Sequence, residues 1–122
     1  MNVAWVQEQC LTLPHTTEVV QWGDHLVFKV GRKMYAVTSL SPGGNAMSFK
    51  CSPEQFAELV ECAGVVPAPY LARAHWVALE TFDALPPVEI KKHLRNAYDL
   101  VFAKLPAKTR KGLNAGLQGS NP

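Results

Sequence analysis

Between Glu18 and Thr38 apolar residues recur with a period of two, as at Leu26, Phe28 and Val30, and the stretch is broken twice by a glycine followed by a charged residue. A short-looped antiparallel meander satisfies that pattern; a helix, which needs a period near 3.6, does not. Leu26, Phe28 and Val30 share one face of a strand, and beyond the second break either Met34, Ala36 and Thr38 or Tyr35 and Val37 continue it. Gly23-Asp24 and Gly31-Arg32 are the breaks, each with glycine first, as a type II′ hairpin turn prefers. Ser41-Pro42-Gly43-Gly44-Asn45 then reads as a loop, and Met47, Phe49 and Cys51, alternating with Ser48 and Lys50, read as a fourth strand.

Helical spacing flanks this block. Val3, Val6, Cys10 and Leu13 recur at intervals of three and four, with Asn2 as an N-cap and Pro14 as the stop. Ser52-Pro53-Glu54-Gln55 combines a capping serine, proline at the first helical position and glutamine at the third. The apolar face of that helix is Phe56, Leu59, Val60 and Ala63, and Gly64 ends it. Pro67 and Pro69 keep residues 65–74 out of a regular helix, and His75 to Glu80 reads as a further strand. Pro86-Pro87 opens a long helix in which Ile90, Leu94, Ala97, Val101 and Leu105 repeat until Pro106. The order predicts an α+β domain over residues 1–111: a two-layer α/β sandwich, α-β-β-β(-β)-α-β(-β)-α, with helices on one face of an antiparallel sheet. A flexible tail rich in glycine, asparagine and serine is expected over 112–122.

The net charge of +2 conceals an uneven distribution. Residues 1–89 carry five basic and nine acidic side chains, net −4, whereas residues 90–122 carry seven basic and one acidic, net +6. Local potential of this kind steers a polyanion. Arg32 and Lys33 sit at a hairpin tip with Lys29 on the adjoining strand, Lys50 and Arg73 could extend the footprint, and Lys91, Lys92 and Arg95 lie on the outer face of the long helix. These eight cations are the candidate DNA-binding residues; charging exposed turns for solubility is the competing explanation of the same pattern.

No catalytic constellation emerges. His15, His25, His75 and His93 and the three cysteines show neither C-x-x-C nor H-x-x-x-H spacing, so no metal site is expected, and no phosphate loop suggests a nucleotide cofactor. Glu54, Glu58 and Glu61 fall on a solvated helix side. Cys10 and Cys62 lie on apolar helix faces and Cys51 ends a strand, which suits core packing better than a thiol nucleophile. An odd number of widely spaced cysteines, no secretory pattern and no apolar run of about twenty residues favour a cytoplasmic monomer without a membrane span. Trp22, Tyr70 and Trp76 are either core or the lining of a ligand site, and the strand alternation places Trp22 and Trp76 in the core.

Several segments together resemble the MmcQ/YjbR family of small bacterial proteins: Cys10-Leu11-Thr12-Leu13-Pro14, Trp22-Gly23-Asp24-His25, Phe28 to Met34, Lys50-Cys51-Ser52-Pro53-Glu54, Pro67 to Arg73, His75-Trp76-Val77, and Asn96-Ala97-Tyr98 leading to Ala103-Lys104-Leu105-Pro106. His15 departs from the glycine usual after the Leu-Pro pair. The resemblance spans roughly residues 1–111 and implies a fold related to secretion chaperones, with DNA bound through a double wing of hairpins; it carries no catalytic residue to transfer. A non-enzymatic DNA-binding protein is the leading expectation. A protein- or peptide-binding module comes second, and a small-molecule site third.

Overall fold

The computed structural model describes residues 1–119 and shows one open six-stranded sheet with helices against one face. In chain order the elements are α1 (Val3–Leu11), β1 (Thr17–Gln21), β2 (His25–Val30), β3 (Lys33–Ser39), β4 (Met47–Lys50), α2 (Pro53–Leu59), β5 (Val65–Pro67), β6 (Trp76–Leu79), α3 (Pro87–Lys104) and α4 (Ala107–Gly119), with short 3-10 turns at Ala72–Ala74 and Phe82–Ala84. The strand order is β1-β2-β3-β4-β6-β5, and every pairing is antiparallel. The expected meander is present, and β6 inserts beside β4 so that β5 becomes an edge. Only an edge tolerates Pro67, which has no N–H to give a neighbouring strand.

The helix caps form as their residues dictate. Asn2 accepts from the Trp5 amide at 2.9 Å. At α2, Ser52 Oγ accepts from the Gln55 amide while the Ser52 amide donates to Gln55 Oε1, both at 3.1 Å, a complete capping box. That helix ends at Leu59, earlier than its apolar pattern suggests, and residues 60–64 follow as turns, which leaves Cys62 exposed rather than in the core. α4 runs from Ala107 to Gly119, and residues 120–122 lie outside the described residues.

The core lies between the sheet and the helices. Phe28, Phe49, Val77 and Leu79 from the strands meet Val6 and Cys10 of α1 and Ile90, Leu94 and Ala97 of α3, all essentially inaccessible. A bulge between β2 and β3 sets which residues face it. Phe28 pairs with Ala36 but Lys29 pairs with Met34, so Tyr35 is the extra residue and packs on the helix side together with Ala36. The Tyr35 hydroxyl lies 2.9 Å from Thr16 Oγ1 and donates to the Cys10 carbonyl at 3.3 Å, while Tyr98 donates to the Pro14 carbonyl at 2.7 Å. These two phenols, edge to face at 5.6 Å, bind the α1–β1 connection to the core. His93 of α3 is largely buried, its ring stacked 5.3 Å from Phe49.

Both hairpin turns depart from the expected type II′. Gly31 and Arg32 both have positive φ, 56° and 69°, which is type I′. The first turn is a three-residue loop, Trp22-Gly23-Asp24, with Trp22 itself left-handed at φ 53° and therefore outside the strand alternation. The tip of the second hairpin is not free in space: a Cβ on Gly31 would stand 2.6 Å from Leu105 Cδ1, just beyond the end of α3, whereas one on Gly23 would meet nothing within 4 Å.

Gly31→Ala and Gly23→Ala therefore separate backbone strain from packing. Both incur the left-handed penalty of about 1–2 kcal/mol, and only the first also displaces Leu105 from the core. Urea denaturation should show Gly31→Ala losing about 1 kcal/mol or more beyond Gly23→Ala. A second check concerns His93, whose pKa burial pushes below its usual 6.5 against the opposing pull of Glu89. The unfolded chain then takes up the proton first, so the stability tied to neutral His93 is complete above about pH 6.5 and is lost as pH falls below it. His93→Leu should flatten the decline in urea midpoint between pH 7 and pH 5.

Candidate functional site

Two surfaces stand out, one built of charge and one of apolar side chains. The charged one occupies the end of the sheet at the β2–β3 turn. Leu105 seated on Gly31 sets Arg32 and Lys33, both exposed, beside the corner between α3 and α4, where Lys104, Lys108 and Lys111 are exposed as well. Lys104 lies close enough to Lys50 to lower its pKa, second to the effect of burial. Lys50 Nζ in turn donates to the Ala74 carbonyl at 2.7 Å, next to exposed Arg73. Lys29, half-buried, lies in the same end of β2, paired with Thr17 and Met34.

The structure thus brings five of the eight sequence-predicted cations, Lys29, Arg32, Lys33, Lys50 and Arg73, to one end of the molecule. It does not bring Lys91, Lys92 and Arg95 there. They are exposed near the start and middle of α3, with Lys91 about 20 Å of helix from Leu105. Among the described residues Asp99 is the one carboxylate paired with a lysine or arginine, lying 3.5 Å from Arg95 Nε, so the cations at the hairpin end carry no acidic partner. The sequence pattern shows Lys104, Lys108 and Lys111 as basic but gives no sign that the α3–α4 corner meets the hairpin, because that depends on one leucine and one glycine touching across the fold.

The second surface is the sheet face turned away from the helices. Val27, Val37, Ser48, Ala78 and Val66 are successive cross-strand partners and form one row across it. Residues 68–75, leaving β5, cross over that row. Hydrogen bonds hold this crossing segment at its ends: the Ala68 amide donates to the Trp76 carbonyl at 3.0 Å, the Cys51 amide to the His75 carbonyl at 2.8 Å, and Trp76 is buried beneath it. Beside the crossing segment lies a cavity of about 540 Å³ lined by Met34, Val37, Ser48, Ala78, Leu71 and Trp22 among others. Trp22 is 62% exposed and Tyr70, also lining it, is wholly exposed, so the core position expected for Trp22 is corrected by its left-handed turn. Trp76 is core; Trp22 and Tyr70 are rim.

Covalent chemistry finds little to work with. Cys51 lies next to His75, but its thiol donates to the His75 backbone carbonyl at 3.3 Å rather than to the imidazole, and burial pushes its pKa up to about 11. Cys10 is raised to about 12 by burial. Both are protonated at neutral pH. No cluster of three or more histidine, cysteine or acidic residues suited to a metal occurs among the described residues, and no described helix is long and apolar enough to cross a membrane. At pH 8 an aromatic disulfide reagent should therefore react quickly with one thiol, that of exposed Cys62, and Cys62→Ser should abolish the fast phase; Cys10 and Cys51 should react only on unfolding.

Comparison with known proteins agrees with this architecture. The YjbR family model matches residues 11–100, and the chain belongs to that family. Among solved structures it is similar to a Deinococcus radiodurans protein with the DUF419 domain, at 31% identity and a TM-score of 0.82 over 93% of this chain and 88% of that one. It is also similar to a Pseudomonas syringae protein, at 21% identity and a TM-score of 0.68 over 82% and 98% of the two chains. No curated protein sequence matches significantly.

Proposed function

We propose that this member of the YjbR family is a DNA-binding protein that grips the phosphate backbone with the cationic end of its sheet. The observation that carries the proposal is the junction of Gly31 with Leu105, which gathers Arg32, Lys33, Lys104 and Lys108 with no carboxylate among the described residues paired to them. Exposed lysines and arginines alone are common, but several on separate elements converging without counter-charges make a local positive potential that a polyanion relieves by releasing its counterions. The rigid type I′ tip presents Arg32 from a left-handed position, so its side chain leaves the hairpin at its outermost point.

The contacts would be to phosphate rather than to base edges. The hairpin is docked on Leu105 and is not a long free arm. Sequence preference should accordingly be weak, with affinity governed by salt. Peptide binding by strand addition at the exposed edge of β1 finds a chemically open site, yet its one charged side chain, Glu18, already accepts from Gln7 Nε2 at 2.9 Å.

The test is binding of a short duplex DNA across a salt series. Reversing Arg32 and Lys33 to glutamate should weaken binding and reduce the slope of log K against log salt by about 2, whereas reversing Lys91 and Lys92 should change neither to a comparable degree. Loss of affinity from the Lys91 and Lys92 pair but not from the hairpin pair would move the interface to α3. An absence of salt-dependent binding would end the proposal.

A further inference from the structure

The cavity on the open sheet face plays no part in a phosphate grip, and its chemistry is different. Its volume of about 540 Å³ falls within the range of small-molecule sites. No lysine, arginine, aspartate or glutamate lines it, so a charged ligand would shed water there without gaining a counter-ion. The floor is the row Val37, Ser48 and Ala78, and one end is closed by Met34, Ala68 and Leu71, all apolar.

The opposite end is polar. His25 pairs with Ser39 across β2 and β3, and Asn45 follows on the loop whose Ala46 carbonyl accepts from the Ser39 amide at 2.9 Å. Ser39 Oγ is already engaged with the Ser41 carbonyl at 2.9 Å. Among the described residues, however, the side chains of Asn45 and Ser48 have no hydrogen-bond partner. His25 Nδ1 lies 2.9 Å from Asp24 Oδ1, which leaves the other ring nitrogen to face a ligand. Polar side chains thus collect at one end of an apolar slot.

The rim supplies the last element. Trp22 and Tyr70 both occupy left-handed backbone positions, φ 53° and 66°, which disfavour residues other than glycine, and both hold large rings in water beside the slot. Strain of this kind persists where the surroundings fix it, and here it stands two flat apolar surfaces at the mouth of one cavity.

We infer that this cavity binds a neutral, ring-bearing small molecule, its apolar body lying over Val37 and Ala78 toward Met34 and Leu71 and a hydrogen-bonding group directed at Asn45, Ser48 and His25. Trp22 and Tyr70 flank the ring. A matched pair of probes tests both the site and the charge preference: N-phenyl-1-naphthylamine, which is neutral, and 8-anilinonaphthalene-1-sulfonate, the same ring system carrying a sulfonate. The neutral probe should bind saturably at one equivalent, at least tenfold tighter than the sulfonate, with amide shifts in the NMR spectrum at Val37, Asn45, Ser48 and Ala78. Trp22→Ala with Tyr70→Ala should weaken it at least fivefold at an unchanged urea midpoint, since both side chains are exposed. Arg32→Glu with Lys33→Glu should leave it unaltered, which keeps the outcome separate from that of DNA binding. No saturable binding, equal affinity for the sulfonate, or shifts confined to the helix-covered face would overturn the inference.

Discussion

An open sheet of six strands has two faces to keep from water, and this chain packs α1, α2 and α3 against only one of them. Much of the rest follows from that imbalance. The helix-side face can be wholly apolar, and it is: Phe28, Phe49, Val77 and Leu79 are completely buried. The other face, with Val27, Val37, Trp76 and Ala78, is equally unsuited to water but receives only the eight-residue stretch between β5 and β6 as cover. A segment that short covers part of a six-stranded face. The cavity lies where the segment, through Ala68, Pro69, Tyr70 and Leu71, meets that face without filling the space against it.

The same economy decides where charge collects. The β2–β3 hairpin, the longest pairing in the sheet, is steadied by Leu105 at the point where Pro106 turns the chain from α3 into α4. Because Lys104 and Lys108 flank that corner, anchoring the hairpin there also concentrates its cations. The basic residues early in α3 serve the same helix but a different region of the surface. A count of charge by sequence segment adds Lys91, Lys92 and Arg95 to Lys104 and Lys108; the axial length of α3 divides them.

Periodicity made most of the elements legible, and the failures have particular causes. The sequence leaves two phases open for β3, Met34-Ala36-Thr38 or Tyr35-Val37, because the bulge makes each partly right. Met34 and Val37 face the open side, while Tyr35, Ala36 and Thr38 face the helices. A period-two pattern cannot reveal the residue at which its own phase slips. Trp22 was misplaced for a related reason: strand alternation includes it, but the turn begins one residue earlier than the glycine that advertises it. Residues 112–119, low in apolar content, read as a tail although Leu113 packs against the core. The hairpin cations were visible from composition and turn chemistry, whereas the cavity was not, since its floor joins three strands whose register alone places Val37, Ser48 and Ala78 side by side.

Lys50 joins the two surfaces. It projects from β4 on the open side, and its ammonium group could have faced solvent with the other cations, yet it donates to the Ala74 carbonyl at 2.7 Å, and burial and neighbouring Lys104 lower its pKa. That carbonyl belongs to the crossing segment, in the turn that carries Arg73 and ends at left-handed His75. The ammonium has three donors and this contact uses one. A phosphate arriving at the cationic end would offset the repulsion from Lys104 and accept from the donors that remain, without requiring Lys50 to release Ala74. The lysine can therefore hold the cover of the open face in place and contribute its charge to the end of the sheet at the same time.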